Sequence, residues 1–343
     1  MIKVAIGLSG GVDSTAAAAL LKEEGLSLVG VCLKMHAGGD TFAAQKAAEE
    51  LGIPYHEVDL TARFEEQVLR PFAALYKIGE TPNPCILCNP AVKFAGLLEA
   101  ADALGCEKIA TGHYASVAEY QGRHLIKRIP RQKKDQSYML YGLGEEVLSR
   151  LLLPLGAFEE KDQVRAFADE RGYSSADAKD SMDLCFLDPE ENHADFIKAY
   201  TGSAPACGKI CTKEGKILGD HKGICHYTVG QRRGLGVAAE QRLYVTALRP
   251  KSNQVILGPR EDVMEHRVLL RDTCWHLPLP EEGLTAKVRY RDQDAPVRVE
   301  LLEGDRAILR FESPKFAPAA GQSAVVYWEN FLLGGGIIFN EES

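Results

Sequence analysis

The sequence predicts an α/β protein in which a parallel sheet with helices on both faces is followed by two small β-rich or β-barrel domains. Strand patterns at 3–8, 27–34, 55–59 and 108–111 alternate with helical patterns at 14–24, 41–51, 61–76 and 90–104. Strands separated by helices pair in parallel through right-handed crossovers. From about residue 200, short β runs with glycine and proline between them replace this alternation, which is typical of small barrels.

The remaining elements follow the same logic along the chain. A hairpin is expected over 115–128, and helices are expected at 145–152 and 161–171. We expect a first domain over 1–200, a central β-rich domain over 201–265 and a C-terminal β-barrel domain over 266–343. The β runs that support the last two lie at 216–218, 244–248, 254–257, 267–270, 286–290, 297–302, 306–311 and 323–328.

Composition limits the class of protein. The chain has 343 residues, 45% apolar and 26% charged, with a net charge of −8 and nine cysteines. No apolar run approaches the ~20 residues of a membrane span, and the first residues lead directly into a strand instead of a signal peptide. We therefore expect a cytoplasmic protein without a membrane partner, whose cysteines are free, catalytic or metal-bound. The negative charge argues against indiscriminate nucleic-acid binding but permits a local basic face.

One such basic cluster follows the hairpin. We expect its side chains to contact RNA, because phosphate contacts require local positive charge on an acidic protein. The cluster comprises Arg123, Lys127, Arg128, Arg131, Lys133 and Lys134. A second pair, Arg232 and Arg233, either holds RNA phosphate or pairs with nearby acids, and the sequence leaves both readings open.

A glycine-rich turn connects the first strand to the first helix. Gly10 and Gly11 allow backbone N–H groups to surround an anion, and the start of the helix adds its positive dipole end. Asp13 beside such a site indicates Mg²⁺ or a helix cap. The turn lacks the lysine of a Walker A motif and the third glycine of a dinucleotide-binding motif. Its residues are Gly7, Leu8, Ser9, Gly10, Gly11, Val12, Asp13 and Ser14.

Three cysteines lie where chemistry is expected. Cys85 and Cys88 follow a proline-stiffened stretch just ahead of a helix, where a thiol pKa is expected to be lowered. Their two-residue gap is used by zinc sites, iron–sulfur sites and redox dithiols. Cys185 would meet Cys88 if its short acidic segment folds back over the first domain. Cys32, Cys106 and Cys274 are expected to be buried apolar residues, and Cys207, Cys211 and Cys225 are left open.

Taken together, these motifs resemble the tRNA-specific 2-thiouridylase family over nearly the whole chain. The turn at 9–14, Ser-Gly-Gly-Val-Asp-Ser, is similar to the pyrophosphate loop of N-type ATP pyrophosphatases. Further shared strings are Thr-Pro-Asn-Pro at 81–84, Leu-Cys-Asn at 87–89, Ala-Thr-Gly-His-Tyr at 110–114, Lys-Asp-Gln-Ser-Tyr at 134–138, His-Tyr-Thr-Val-Gly-Gln-Arg-Arg-Gly-Leu-Gly at 226–236, Val-Arg-Tyr-Arg at 288–291, Gly-Gln-Ser-Ala-Val at 321–325 and Leu-Gly-Gly-Gly-Ile-Ile at 333–338. The resemblance implies an adenine nucleotide alpha-hydrolase-like first domain.

The resemblance also implies residue roles. Residues 7–14 with Leu33 and Gly112 would bind ATP and Mg²⁺, and Asp13, Cys88 and Cys185 would be catalytic. The residues implied to contact tRNA are Asn83, Pro84, Cys85, His113, Lys134, Asp135, Gln136, Arg289, Tyr290, Arg291 and Gln322. The implied partners are tRNA and a sulfur donor, which is either a persulfide carrier protein or hydrosulfide.

The implied reaction is 2-thiolation of a wobble uridine, in which ATP adenylates the C2 carbonyl oxygen and sulfur then replaces AMP. Sulfur arrives as a persulfide on Cys185, with Cys88 assisting release, or on a [4Fe–4S] cluster held by Cys85, Cys88 and Cys185. Many family members have Asp at the position of Cys85, and this departure favours considering the cluster. Two alternatives remain: a nitrogen-transferring ligase with the same loop, and a non-catalytic iron–sulfur RNA-binding protein.

Overall fold

The computed structural model describes residues 1–36, 38–39, 41–129, 133–178, 184–187 and 192–341. These residues form two compact units. The first contains Met1–Val68, Cys85–Phe186 and Glu329–Leu333, and the second contains Leu69–Pro84, Leu187–Trp328 and the chain from Gly334 onward. The chain therefore passes from one unit to the other several times.

The helices are mostly short. The α-helices are α1 Val12–Glu23, α2 Phe42–Leu51, α3 Thr61–Phe64, α4 Arg70–Lys77, α5 Pro84–Cys88, α6 Ala95–Ala103, α7 Glu145–Leu148, α8 Lys161–Glu170 and α9 His193–Thr201. Two π-helical segments, Glu65–Leu69 and Asn89–Phe94, each continue directly into the next α-helix. Among the described residues, no helix is long and apolar enough to cross a membrane.

The strands fall into three sheets. They are β1 Lys3–Gly7, β2 Ser27–Lys34, β3 Tyr55–Asp59, β4 Lys108–Ala110, β5 Ser116–Tyr120, β6 Arg123–Lys127, β7 Leu151–Leu152, β8 Gly208–Thr212, β9 Ile217–His221, β10 Tyr244–Arg249, β11 Gln254–Gly258, β12 Met264–Trp275, β13 Leu284–Lys287, β14 Ala295–Leu302, β15 Arg306–Phe316, β16 Ser323–Trp328 and β17 Phe331–Phe339.

The first unit is built on a parallel sheet with the strand order β3-β2-β1-β4-β7. The chain moves outward from β1 to β3 and then returns to the other side of β1 with β4. With right-handed crossovers, this reversal places the helices before and after it on opposite faces of the sheet. It also makes the carboxyl ends of β1 and β4 the switch point at which ligands bind in such sheets. The predicted glycine-rich turn follows β1, and Gly112 follows β4.

Helix α1 fits closely against its neighbours because its buried face consists of small side chains. Ala16, Ala17 and Ala18 are fully buried in a cluster with Val4 and Ile6 of β1. The helix begins directly at the glycine-rich turn, so its packing fixes where that turn ends. At the other side of α1, α8 begins with a capping box between Glu160 and Gln163.

Most predicted elements of the first unit are confirmed. The hairpin forms as β5 and β6, with Gln121 and Gly122 both at positive φ in its turn. The helix expected at 145–152 is wrong in its second half, because α7 ends at Leu148 and Leu151–Leu152 pairs with β4 as an edge strand. In this unit the last strand begins beside the hairpin, with Phe331 paired to Lys127.

The second unit contains a four-stranded sheet and a barrel. The sheet has the order β10-β11-β8-β9. The barrel has the order β12-β15-β14-β13-β16-β17 and closes because β12 also pairs with β17. This confirms the predicted β-rich second half. The strand expected at 286–290 is wrong beyond residue 287, since β13 ends at Lys287 and the chain turns over 288–292.

Candidate active site

The glycine-rich turn takes a backbone course that only glycine allows at one position. Gly10 has φ of +77°, and a Cβ on it would lie 2.4 Å from Cβ of Ala43. The backbone N–H of Leu8 donates to Val31 of β2, so the first residues of the turn still belong to the sheet edge. Beyond that point the chain is free to curve around a ligand before α1 begins.

Hydroxyl groups hold the turn in shape from within. The Ser14 hydroxyl donates to the Gly11 carbonyl at 3.1 Å and accepts from the backbone N–H of Ser9 at 3.2 Å. Thr15 donates to the same carbonyl at 3.1 Å. Gly11 has extended backbone angles and is the N-cap of α1, without any side-chain cap. The turn is therefore preorganised for a group that its N–H donors can reach.

Asp13 is held by two groups that are distant in sequence. The Tyr114 hydroxyl donates to Oδ1 at 2.7 Å, and Lys161 Nζ lies 3.1 Å from Oδ2. The expectation that Asp13 caps the helix is wrong, because its carboxylate points to these partners instead of the first N–H groups of α1. Lys161, at the start of α8, is only 11% exposed. Sequence reasoning missed Lys161, since nothing near it in the chain relates it to residues 7–14.

Gly112 joins the turn to the second half of the site. A Cβ on Gly112 would lie 2.7 Å from the Asp13 carbonyl, so the segment after β4 packs directly on the turn. The next residue, His113, stacks on Phe94 at a ring distance of 5.6 Å, and its Nδ1 lies 2.8 Å from the Thr111 hydroxyl. Burial, aided by Lys93, holds the pKa of His113 well below its usual range, so the imidazole is neutral.

The predicted cysteines approach one another in the same unit. Cys88 ends α5 and is buried, Cys85 is half-buried, and Cys185 is exposed as a residue. The charges of Cys85 and Cys185 raise the pKa of Cys88, and the charge of Cys85 raises the pKa of Cys185, so the three sulfurs lie within electrostatic range of one another. The ring of Phe186, beside Cys185, packs edge-on against Phe64 at 5.9 Å. All nine cysteines are free thiols.

The expected lowering of the cysteine pKa is wrong for Cys88. Burial raises the pKa of its thiol to about 11, and the nearby Lys93 charge and backbone N–H only reduce this effect. Burial likewise raises the pKa of the Cys185 thiol, although that residue retains an exposed surface. Desolvation penalises a thiolate more strongly than one cation compensates. Both thiols are therefore protonated at neutral pH in this state.

Lys93 is a functional candidate that the sequence did not reveal. It lies one turn after Cys88 in the π-helical segment Asn89–Phe94, and its charge acts on Cys88, Cys185 and His113. The side chain is half-buried, and it forms no ion pair or hydrogen bond with any described residue. A half-buried cation without an acid is costly unless a ligand or reaction uses it. Only the fold shows that no acid of the described residues pairs with it.

Asn89 anchors the same segment. Its side-chain amide donates to the Met139 carbonyl at 2.8 Å, whereas its Oδ1 is buried and has no hydrogen-bond partner in the part of the chain that the structure describes. π-Helical segments of this kind are frequent at functional sites. Here the wider turn brings the backbone N–H of Lys93 to the Cys88 sulfur.

The three thiols do not fit an iron–sulfur cluster as they stand. Among the described residues, no group of three or more His, Cys, Asp or Glu side chains is arranged to hold a metal ion. This also applies to Cys207, Cys211 and Cys225, of which Cys207 is exposed and the other two are buried. Cys32 and Cys106 are buried as expected, whereas Cys274 is half-buried.

Two of the residues implied to contact tRNA in the first unit form hydrogen bonds within their own loop. Gln136 Oε1 accepts from the backbone N–H of Tyr114 at 2.9 Å. Asp135 accepts from the backbone N–H of Ile129 at 2.9 Å and from the Ser137 hydroxyl at 2.5 Å. Lys134 is exposed. Arg131 of the basic cluster lies outside the described residues.

The other residues implied to contact tRNA belong to the second unit, except Cys85. Gln322 donates to the Thr81 carbonyl at 2.6 Å, which ties the stretch before Asn83 and Pro84 to the barrel. Arg289 donates to the Phe316 carbonyl at 2.5 Å and lies over the Phe316 ring. Tyr290 is half-buried, and Arg291 is exposed. Leu33, implied to line the ATP site of the first unit, is half-buried near the end of β2.

Comparison with known proteins places these observations in a family. Three domain models match in order: a tRNA methyl transferase HUP domain over residues 2–189, a tRNA methyl transferase PRC-barrel domain over 194–259 and an aminomethyltransferase beta-barrel domain over 265–338. Curated relatives carry a different name. The tRNA-specific 2-thiouridylase MnmA of Clostridium acetobutylicum is 38% identical over 98% of this chain and 99% of its own length.

Two further relatives agree with this match. The tRNA-specific 2-thiouridylase MnmA of Syntrophotalea carbinolica is 40% identical over 98% of both chains. That of Dehalococcoides mccartyi is 40% identical over 98% of this chain and 96% of its own. With full-length matches at this identity, the chain belongs to the tRNA-specific 2-thiouridylase family.

Proposed function

We propose that this protein is an ATP-dependent tRNA sulfurtransferase that forms 2-thiouridine at the wobble position. One observation carries the proposal: the phosphate loop and the thiols are joined by a short chain of contacts. Gly112 packs on the loop at Asp13, His113 stacks on Phe94, and Phe94 ends the segment that begins directly after Cys88. A base adenylated at the loop thus stays near the sulfur chemistry.

The first step is adenylation of the base. The C2 oxygen of the uridine attacks the α-phosphorus of ATP, pyrophosphate leaves, and the oxygen becomes part of an AMP leaving group. The N–H groups of Gly10, Gly11 and Val12, at the start of α1, would bind the departing phosphates. Lys161, held beside the loop by Asp13, would neutralise phosphate charge. We therefore assign Asp13 a positioning role, and Leu33 and Gly112 a role in binding the nucleoside.

Mg²⁺ would enter with ATP. It is usually held by one or two carboxylates together with phosphate oxygens, and Asp13 supplies one carboxylate beside the loop. The fit is therefore acceptable, although both Asp13 oxygens already have protein partners. When bound, Mg²⁺ would offset the negative charge of the phosphates.

The second step transfers sulfur. A persulfide on Cys185 attacks C2, AMP leaves with the oxygen, and the base becomes linked to Cys185 through a disulfide. The Cys88 thiolate then attacks the Cys185 sulfur, which forms a Cys88–Cys185 disulfide and releases the 2-thiouridine. A persulfide carrier supplies the sulfur, and an external dithiol reduces the enzyme afterwards. Because the thiols do not fit a cluster, no step is assigned to iron.

Lys93 would stabilise the thiolate that the reaction requires at a buried position. Its ammonium group would favour the anionic forms of Cys88 and of the Cys185 persulfide, which burial otherwise disfavours. Because His113 is neutral, it adds no second positive charge that would repel the Lys93 ammonium group. The target base must leave the anticodon stack to reach this site, and we propose that Cys85, with Asn83 and Pro84, faces it.

We also propose where the rest of the tRNA contacts the protein. Lys134, Arg289 and Arg291 offer cations, while His113, Tyr290 and Gln322 offer polar or stacking contacts. Asp135 and Gln136 act indirectly, by shaping the loop that presents Lys134.

The test separates the two steps. Wild-type protein, tRNA, ATP and a protein persulfide donor should yield pyrophosphate, AMP and 2-thiouridine. Cys88→Ser should still release pyrophosphate but form no 2-thiouridine, and Cys106→Ser, a buried control outside the site, should behave as wild type. A nitrogen-transferring ligase would remain fully active after Cys88→Ser. A non-catalytic RNA-binding protein would release no pyrophosphate from the wild type.

A further inference from the structure

The loop before β10 in the second unit is rigidly held. The backbone N–H of Gly230 donates to Val245 at 2.8 Å, and Val245 donates back to Gln231 at 2.9 Å. Gln231 also bridges the loop through its side chain, accepting from Thr228 and donating to the Arg233 carbonyl at 3.1 Å each. Leu235 is buried in the core of this unit. Exposed side chains on the loop are therefore presented by a fixed backbone.

The loop lines an open cleft of about 340 Å³. Arg232 and Arg242 stand on its walls with Gly234, Leu235 and Gly236 between them. Both glycines are exposed and have positive φ, +74° and +68°. Among the described residues, a Cβ on Gly236 would meet nothing within 4 Å, and one on Gly234 would meet only the Gln231 side chain, at 3.9 Å. We call this feature the arginine cleft. A phosphate group approaching it would meet guanidinium groups and uncovered backbone.

The two arginines of the cleft, and Arg233 beside them, have no acid partner among the described residues. Arg232, Arg233 and Arg242 are exposed, and none forms an ion pair or hydrogen bond through its side chain within the described part of the chain. Glu240, in the same loop, pairs with none of them. Elsewhere in this unit, arginines do find acids, as Arg271 does with Glu80 and Arg310 with Glu300. On a chain of net charge −8, three neighbouring unpaired cations are available for an anionic partner.

A second basic feature of the same unit lies beside Gly230, two residues before Arg232 of the cleft. Gly230 packs so closely on Ala317 that a Cβ would lie 2.5 Å from its Cβ, next to Phe316. Arg260 and Arg289 lie over the Phe316 ring at 5.4 and 5.3 Å. The loop that bears Arg232 therefore packs at its start against an aromatic ring that two further arginines cover. Two groups of arginines on one loop and its packing partner suit a polyanion such as a nucleic-acid backbone better than a single small anion.

We propose that the arginine cleft binds the phosphodiester backbone of tRNA, outside the catalytic site. Arginine suits this task because its planar fork matches phosphate oxygens and cannot lose its charge. The contacts position the tRNA without reading its bases. This inference rests on the proposed function, because tRNA is the partner that function requires.

The test measures tRNA affinity across a salt series. The double variant Arg232→Gln/Arg242→Gln is compared with wild type and with Arg298→Gln/Arg306→Gln, which removes the same charge from exposed positions on β14 and β15. Each phosphate contact contributes roughly 0.7–0.9 to the slope of log affinity against log salt. The cleft variant should lose about one to two units of slope and roughly tenfold in affinity. The control should lose neither.

A turnover assay then separates this proposal from the function on which it rests. At saturating tRNA the cleft variant should form 2-thiouridine at the wild-type rate, because its catalytic site is intact. If the cleft variant binds tRNA with wild-type affinity and slope, the cleft proposal is wrong while the function stands. If the wild type neither binds nor thiolates tRNA, the proposed function itself fails.

Discussion

At the scale of single residues, the site depends on two glycines whose lack of a side chain lets neighbouring segments pack closely. Gly10 and Gly112 are both positions where a Cβ would collide with protein at under 3 Å. The sequence could identify Gly10 because it lies in a short glycine-rich turn between an apolar strand and a helix. It could not show that Gly112 packs on the same turn from about 100 residues away, nor that Lys161 and Lys93 are close to the site.

Replacing Gly10 with alanine should destroy the phosphate loop. The new Cβ would overlap Ala43, and the backbone would be held at a φ that alanine disfavours. We expect pyrophosphate release to fall by at least about a hundredfold, since the N–H donors would be displaced. Gly25→Ala is the matched control, because Gly25 has φ of +82° but nothing within 4 Å. It should lose about 1 kcal/mol of stability and keep its activity.

Lys93 should control the reactivity of Cys88. The pKa of Cys88 is raised to about 11, so its alkylation by iodoacetamide should still be accelerating as the pH increases above 9. Lys93→Met removes a charge that lowers this pKa, and alkylation near pH 8 should slow by about three- to tenfold. Lys93→Arg should restore most of the rate. Equal rates in all three proteins, measured by mass spectrometry of the Cys88 peptide, would rule out the role.

At the scale of elements, periodicity predicted the strands and helices of the first unit well. In the first unit β2 and β3 have the predicted bounds, as does β16 in the second unit. β2 and β16 are mostly buried and have clear apolar runs, whereas the side chains of β3 are exposed or half-buried. Local pattern did not reveal the two π-helical segments, which differ from an α-helix only in the spacing of their hydrogen bonds. It also missed β8, α9 and β17, whose glycines and mixed polarity obscure the pattern.

The loop that follows the basic cluster allows a structural role to be separated from a binding role. Asp135 accepts hydrogen bonds from Ile129 and Ser137, so Asp135→Ala should cost about 1–3 kcal/mol of unfolding free energy. Lys134 is exposed, so Lys134→Ala should change the unfolding free energy by less than about 0.5 kcal/mol and weaken tRNA binding severalfold. If Asp135→Ala unfolds like wild type, the loop is held by other contacts.

At the scale of the whole molecule, the chain is interwoven between two units in a way that no sequence pattern revealed. The division into 1–200, 201–265 and 266–343 follows composition and stays a prediction. The stretch Leu69–Pro84, however, belongs to the second unit. Contacts made by side chains far apart in sequence hold it there: Glu80 pairs with Arg271 at 2.7 Å, and Phe72 packs on Phe196 at 6.3 Å. Contacts between residues so far apart in the chain leave no pattern in the local sequence, so only the tertiary structure reveals them.

The Glu80–Arg271 pair should give the second unit a distinctive pH dependence. Burial raises the pKa of Glu80, while Arg271 opposes that rise. Arg271→Met would leave a buried carboxylate unpaired and should destabilise the protein by about 2 kcal/mol at neutral pH, less than for a fully buried pair because Arg271 is partly exposed. The Glu80 pKa would then rise further, so protonation at lower pH removes the unpaired charge and the deficit should shrink as the pH falls.

The control for this prediction is Glu80→Gln/Arg271→Met, which carries no buried charge. Its stability difference from wild type, followed by thermal unfolding between about pH 5 and 8, should vary much less with pH than that of Arg271→Met. A deficit in Arg271→Met that grows toward low pH would contradict the assignment.

One consequence concerns the order in which the protein can be made. Residues Glu329–Leu333 belong to the first unit, and within it Phe331 pairs with Lys127 while Asn330 accepts a hydrogen bond from Arg128. A nascent chain therefore cannot complete its N-terminal unit until almost all of it has left the ribosome. A premature stop codon that removes only the final strand would damage the unit built around the phosphate loop as well as the barrel.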